Sequence, residues 1–76
     1  MFAYILIQVE VGKSSDVAHE VAALTGIQSA EAVTGPYDVI ARADARDLDQ
    51  LGKLVVASIQ SIAGVTRTLT CPVIHL

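Results

Sequence analysis

Thr34-Gly35-Pro36-Tyr37-Asp38 is the stretch on which the fold turns. Glycine accepts a positive φ, proline holds φ near about −65°, and an aspartate carboxylate can close a turn on its own backbone. The stretch is flanked by two short β-type segments, so it predicts a hairpin in the middle of the chain. Residues 27–33 before it are only weakly apolar, with Ile27 and Val33 on one face and Ala30 and Ala32 on the other. That pattern suits an edge strand. Residues 39–43 after it form the antiparallel partner.

Outward from the hairpin, each side carries one helix. On the N-terminal side Val17, Val21 and Leu24 recur at helical spacing, with Ala18 and Ala22 beside them. Ser14, Ser15 and Asp16 offer acceptors for the helix start, and Gly26 ends it. On the C-terminal side Asp44, with Asp47 three residues on, resembles a capping box and puts negative charge at the positive end of a helix. Leu48, Leu51, Val55, Ile59 and Ile62, with Leu54 alongside, are its expected core positions, and Gly64 its end. The predicted helix has about 18 residues and is about 27 Å long.

The outermost segments are strands. Over residues 2–11 the odd positions Ala3, Ile5, Ile7, Val9 and Val11 are all apolar, while the even positions begin Phe2, Tyr4 and Leu6 before turning to Gln8 and Glu10. A strand greasy on both faces belongs in the middle of a sheet. Residues 65–71 form the last strand, which Pro72 limits, and residues 73–76 are a short apolar tail. The order βαββαβ is the split βαβ pattern of an α+β, ferredoxin-like sandwich, its antiparallel four-stranded sheet carrying both helices on one face. The other face is left bare. Phe2, Tyr4, Leu6 and Ile40 place apolar groups there, which predicts dimerisation sheet to sheet.

Composition points the same way. Seventy-six residues make one domain, 1–76, and a domain so small needs reinforcement. Cys71 is the only cysteine, so no disulfide can supply it, and Cys71, His19 and His75 lack the spacing of a zinc site. Self-association remains. A chain 53% hydrophobic and 17% charged is apolar enough to bury surface against a partner. The net charge of −3 and the dispersal of Lys13, Arg42, Arg46, Lys53 and Arg67 argue against direct contact with nucleic acid. With no membrane span, no signal peptide and a lone thiol, the expected compartment is the cytoplasm.

Candidates for chemistry are thin. Cys71 has no sequence-local base, and the expectation is a buried thiol beside two solvent-facing imidazoles, His19 and His75. Asp44, Asp47 and Asp49 crowd a helix start but lack EF-hand spacing. No catalytic residue, metal or cofactor is expected. At the hairpin the Thr34 hydroxyl, the Gly35 N–H and the Asp38 carboxylate can hold a small zwitterion, although turn chemistry alone explains the same residues.

The segment 33–39, together with Gly26-Ile27, Asp47-Leu48 and Gly64-Val65-Thr66-Arg67-Thr68-Leu69-Thr70, resembles the Lrp/AsnC ligand-binding domain, also called the RAM domain, over essentially the whole chain. The resemblance implies sheet-to-sheet dimers that assemble into octamers or decamers and bind a small amino acid or related metabolite between dimers. It implies an effector site lined by Thr34, Gly35, Tyr37 and Asp38, with Leu48, Leu69, Thr70 and Cys71 nearby on a looser match. It also implies a role in transcription through a full-length Lrp/AsnC regulator, by mixed assembly. Two departures stand out. Met1 leads at once into a strand, so no DNA-reading helix-turn-helix is expected, and Pro36 lacks an N–H where many relatives have one. The alternatives are a pure protein-interaction module that binds no metabolite and a small ferredoxin-like enzyme, such as a cofactor-independent monooxygenase or isomerase.

Overall fold

The computed structural model describes residues 1–76. Its elements run β1 (Phe2–Val9), α1 (Ser14–Ala22), β2 (Ile27–Ala32), β3 (Val39–Asp44), α2 (Leu48–Lys53), which continues as a π-helical segment over Leu54–Ile59, and β4 (Val65–Pro72). The sheet has four strands in the order β2-β3-β1-β4, all neighbours antiparallel. This is the expected ferredoxin-like arrangement. The two most apolar strands are central, where both of their edges are paired and one face is covered by the helices.

Alternation along the strands sorts the two faces. Ala3, Ile5 and Ile7 of β1 and Val39, Ala41 and Ala43 of β3 are completely buried beneath the helices. Val17 and Val21 of α1 and Leu51, Val55 and Ile59 of the second helix close over them, and no polar side chain is buried with them. Burying each such branched side chain contributes about 1.5–3 kcal/mol. The alanines matter as much as the isoleucines, since their small size lets the helices approach the sheet.

Three local readings are corrected by the structure. β1 stops at Val9, and Val11 is fully exposed. The cause is hydrogen bonding: the Asp38 side chain takes the Val9 N–H at 2.8 Å and the Glu10 N–H donates to Gly64 O, which turns the chain out of the ladder. On β2 the register shifts between Ile27 and Ser29, so Ile27 and Ala30 both pack on the core while Val33 lies toward the open face. A bulge inserts one residue and thereby breaks strict alternation. Leu48 is 61% exposed and Ala22 is exposed, so neither belongs to the core.

The second helix also differs from the expected long α-helix. Asp44 closes β3 opposite Phe2, and the helix is capped instead by Asp47, whose carboxylate accepts the Gln50 N–H at 2.8 Å. Gln50 answers by accepting the Arg46 N–H. At the other helix Lys13 precedes Ser14 with no side-chain cap. The core residues Leu51, Val55 and Ile59 are four apart, and such steps drift by about 40° each on an α-helix of 3.6 residues per turn. The π-helical widening, in which the Gln60 N–H reaches back to Val55 O, counters that drift and keeps the three on the sheet.

Candidate functional site

The hairpin between β2 and β3 is tied to the sheet through Asp38. Its N–H donates to Ile7 O at 2.9 Å, its carbonyl accepts the Val33 N–H, and its Oδ2 accepts the Val9 N–H. The other carboxylate oxygen has no partner within the subunit. Pro36 O accepts from the Gln8 amide at 3.0 Å, which pulls the loop tip toward the end of β1. Gly35 has φ +139° with open space around it, a conformation side chains rarely adopt. Thr34 and Gly35 are exposed and Tyr37 and Asp38 half-buried. The loop is therefore a rigid, polar tip rather than a loose turn.

A second feature lies at the opposite end of β1. Leu48, Leu51, Gly52, Val55 and Val56 on the helix face Thr70 and Pro72 on β4 across a hollow of about 290 Å³. It is mainly apolar, and Leu48 and Val56 are 61% and 64% exposed on its walls. Two of its helix residues, Val55 and Val56, belong to the π-helical segment. Nothing in the sequence pattern beyond the four-residue spacing announced it.

A third feature is the open face of the sheet. Register places Tyr4, Leu6 and Gln8 of β1, Ile40 and Arg42 of β3 and Arg67, Leu69 and Cys71 of β4 there together. Tyr4, Ile40 and Leu69 are all more than a third exposed. The Arg42 guanidinium lies 4.4 Å from the Phe2 ring centre and 5.7 Å from that of Tyr4, and its Nε is buried with no hydrogen-bond partner. Cys71 is exposed on this face, which corrects the expected buried thiol.

The eight expected site residues thus fall into three groups. Thr34, Gly35, Tyr37 and Asp38 share the hairpin; Leu48 and Thr70 share the groove; Leu69 and Cys71 point to the other side of the sheet from Thr70. Asp38 bonds Ile7 and Val9, whereas Thr70 and Pro72 of the groove lie opposite Ile5 and Ala3, so loop and groove are offset along β1 by about four residues, roughly 13 Å at the rise of a strand. Within one subunit they do not converge. His19 and His75 are exposed, Asp47 is occupied as a helix cap, and Asp44 lies 3.4 Å from the Met1 ammonium. No nucleophile sits beside a base. No helix is long and apolar enough to cross a membrane.

The chain belongs to the Lrp/AsnC ligand binding domain family, which matches it over residues 2–75. The family is one of ligand-binding domains of transcriptional regulators, not of enzymes. Among solved structures, TTHA0845 from Thermus thermophilus is 29% identical with a TM-score of 0.92, covering 99% of this chain and 94% of that one. AsnC of Escherichia coli shares the fold, at 21% identity and a TM-score of 0.90, with 99% of this chain matching 51% of AsnC. The transcriptional regulator NMB0573 of Neisseria meningitidis, solved with L-Met, matches at 24% identity and a TM-score of 0.85, covering 97% of this chain and 49% of that one. An uncharacterized HTH-type transcriptional regulator of Pyrococcus furiosus is 29% identical over 55 residues. That match takes in 72% of this chain, which spans 37% of the length of this curated relative.

Proposed function

We propose that this domain senses a small amino acid at a junction between copies of itself, and that it acts on transcription by assembling with a full-length regulator of its family. The separation of loop from groove carries the proposal. A ligand that touches both needs two subunits, so binding reports on assembly. Copies pair through the open sheet face into dimers, and dimers join into an octamer or decamer with the hairpin of one subunit near the groove of another.

The chemistry suits an amino acid. Backbone N–H groups at Gly35 and the Thr34 hydroxyl meet its carboxylate, the unpartnered Asp38 oxygen meets its ammonium, and Tyr37 closes the side. Leu48, Val56 and Thr70 of a neighbouring subunit receive its side chain, which favours an aliphatic or thioether group. The L-Met held by the Neisseria relative supports that class of ligand. Leu69 and Cys71 face the dimer side and serve pairing instead of the ligand. Pro36 leaves one donor fewer on the loop, which directs recognition toward the groove.

Thermal-shift measurement against the common amino acids is the test. A ligand at a hundred times its Kd stabilises by about 2.7 kcal/mol. Asp38→Asn keeps an acceptor for Val9 and should abolish the response while leaving the oligomer intact. If no amino acid at millimolar concentration stabilises the assembled protein, the reading fails.

A further inference from the structure

The open face carries an ion pair that is not made. Glu31 on β2 and Arg42 on β3 lie on the same face, diagonal to one another, and line one hollow of about 260 Å³ with Tyr4, Ser29, Val33 and Ile40. Diagonal neighbours of this kind are well within the reach of an arginine. Yet they form no salt bridge. Arg42 leans the other way, over Phe2 and Tyr4, and its buried Nε finds no acceptor. A buried donor left unpaired is costly, more so when it is charged. The other acid of this face, Asp44, is already beside the Met1 ammonium. Arg42 and Glu31 are therefore neighbouring charges of opposite sign with no ion pair inside the subunit, on a mainly apolar face whose other cation, Arg67, lies two strands from β3 on β4.

We infer that this face recognises a second copy of the chain through two symmetric ion pairs, Arg42 of each subunit against Glu31 of the other. The inference rests on the sheet-to-sheet dimer proposed above and names what selects the partner. In a two-fold interface, contact of one residue with another implies the reciprocal contact, so a surface that carries both signs is complementary to itself. Reciprocity also fixes the axis. It passes through the hollow beside Ile40, midway between the two charges. Arg42 lies over two rings, and its terminal nitrogens, unlike the buried Nε, remain open to a carboxylate of the second copy. Self-recognition by this chain, and mixed assembly with any relative, then requires an acid and an arginine at these two positions.

A charge-swap experiment read by sedimentation equilibrium tests it. Glu31→Arg leaves the Phe2, Tyr4 and Arg42 stack untouched and sets Arg against Arg; Arg42→Glu sets Glu against Glu. Each alone should raise the dimer dissociation constant by about a hundredfold or more, since such close pairs couple strongly when desolvated. Mixing the two variants in equal amounts should restore dimers, all of them heterodimers, because both pairs become complementary again. Singles that dimerise as the wild type does, or a mixture that stays dissociated, would overturn the inference. Leu6→Asp, in the centre of the same face, separates the two levels. If it dissociates the dimer while both charge variants do not, sheet pairing stands and the Arg42–Glu31 pairing is wrong; if it has no effect on assembly, the sheet-to-sheet dimer itself is wrong.

Discussion

The two faces of the central strands are built from alternate residues of the same segments and are chemically unlike. Beneath the helices β1 and β3 present Ala3, Ile5, Ile7, Val39, Ala41 and Ala43, all completely buried. On the open side the same strands present Phe2, Tyr4, Leu6, Ile40 and Arg42, partly exposed. The inner set is small and branched, which brings a helix close and leaves no polar atom to satisfy. The outer set is larger and includes two aromatic rings and an arginine. One face closes the fold and the other, in the proposed dimer, would select a partner, and the difference in side-chain size and charge would separate those tasks.

The largest effect should come from the inner face. Ile5→Ala should destabilise the domain by about 2–5 kcal/mol, because the cavity it leaves lies between the sheet and both helices and cannot collapse. Chemical denaturation would show it, and a loss below about 1 kcal/mol would mean that the helices do not close on β1. On the outer face Leu6→Asp should leave the subunit folded by circular dichroism and raise the dissociation constant at least about thirtyfold, equivalent to about 2 kcal/mol. Unfolding without dissociation would reverse the roles assigned to the two faces.

Away from the sheet, Asp47→Ala should cost about 1 kcal/mol by freeing the Gln50 N–H at the start of α2. The comparable change Asp44→Ala should cost less, since Asp44 caps nothing and its carboxylate is exposed beside the N-terminus. Equal losses would restore Asp44 as the helix cap.

These residues also mark where the sequence was legible. Alternation in β1 placed it centrally and separated its faces, and the Thr34 to Asp38 signal placed the hairpin. Both are local patterns with strong backbone consequences. What escaped depended on partners distant in the chain. Val11 reads as strand, but β1 ends where Asp38, twenty-nine residues on, takes the Val9 N–H. Ile27 reads as opposite to Ala30, but the bulge against β3 puts them together. Asp44 and Asp47 are indistinguishable as caps until pairing with Phe2 holds Asp44 in the sheet. Of the expected site, the hairpin group was readable as one unit. The division of Leu48 and Thr70 from Leu69 and Cys71 follows from β4 register and from the π-helical turn, neither of which has a simple sequence signature.

Leu48 gives the smallest expected effect on the fold and the sharpest use of the comparison. Helical spacing puts it in the core, where truncation or charge would cost about 2–5 kcal/mol. The structure puts it on the wall of the groove, 61% exposed, because the cap at Asp47, three residues later than Asp44, makes Leu48 the first residue of the helix. Leu48→Lys should therefore shift subunit stability by less than about 0.5 kcal/mol, as substitutions at exposed sites do. If the proposed site is right, it should nevertheless weaken the response to an amino acid, since a lysine there would charge the wall proposed to receive the ligand's side chain. A large loss of stability would return Leu48 to the core. A stable variant with an unchanged ligand response would separate the groove from the effector site and leave the hairpin to bind alone.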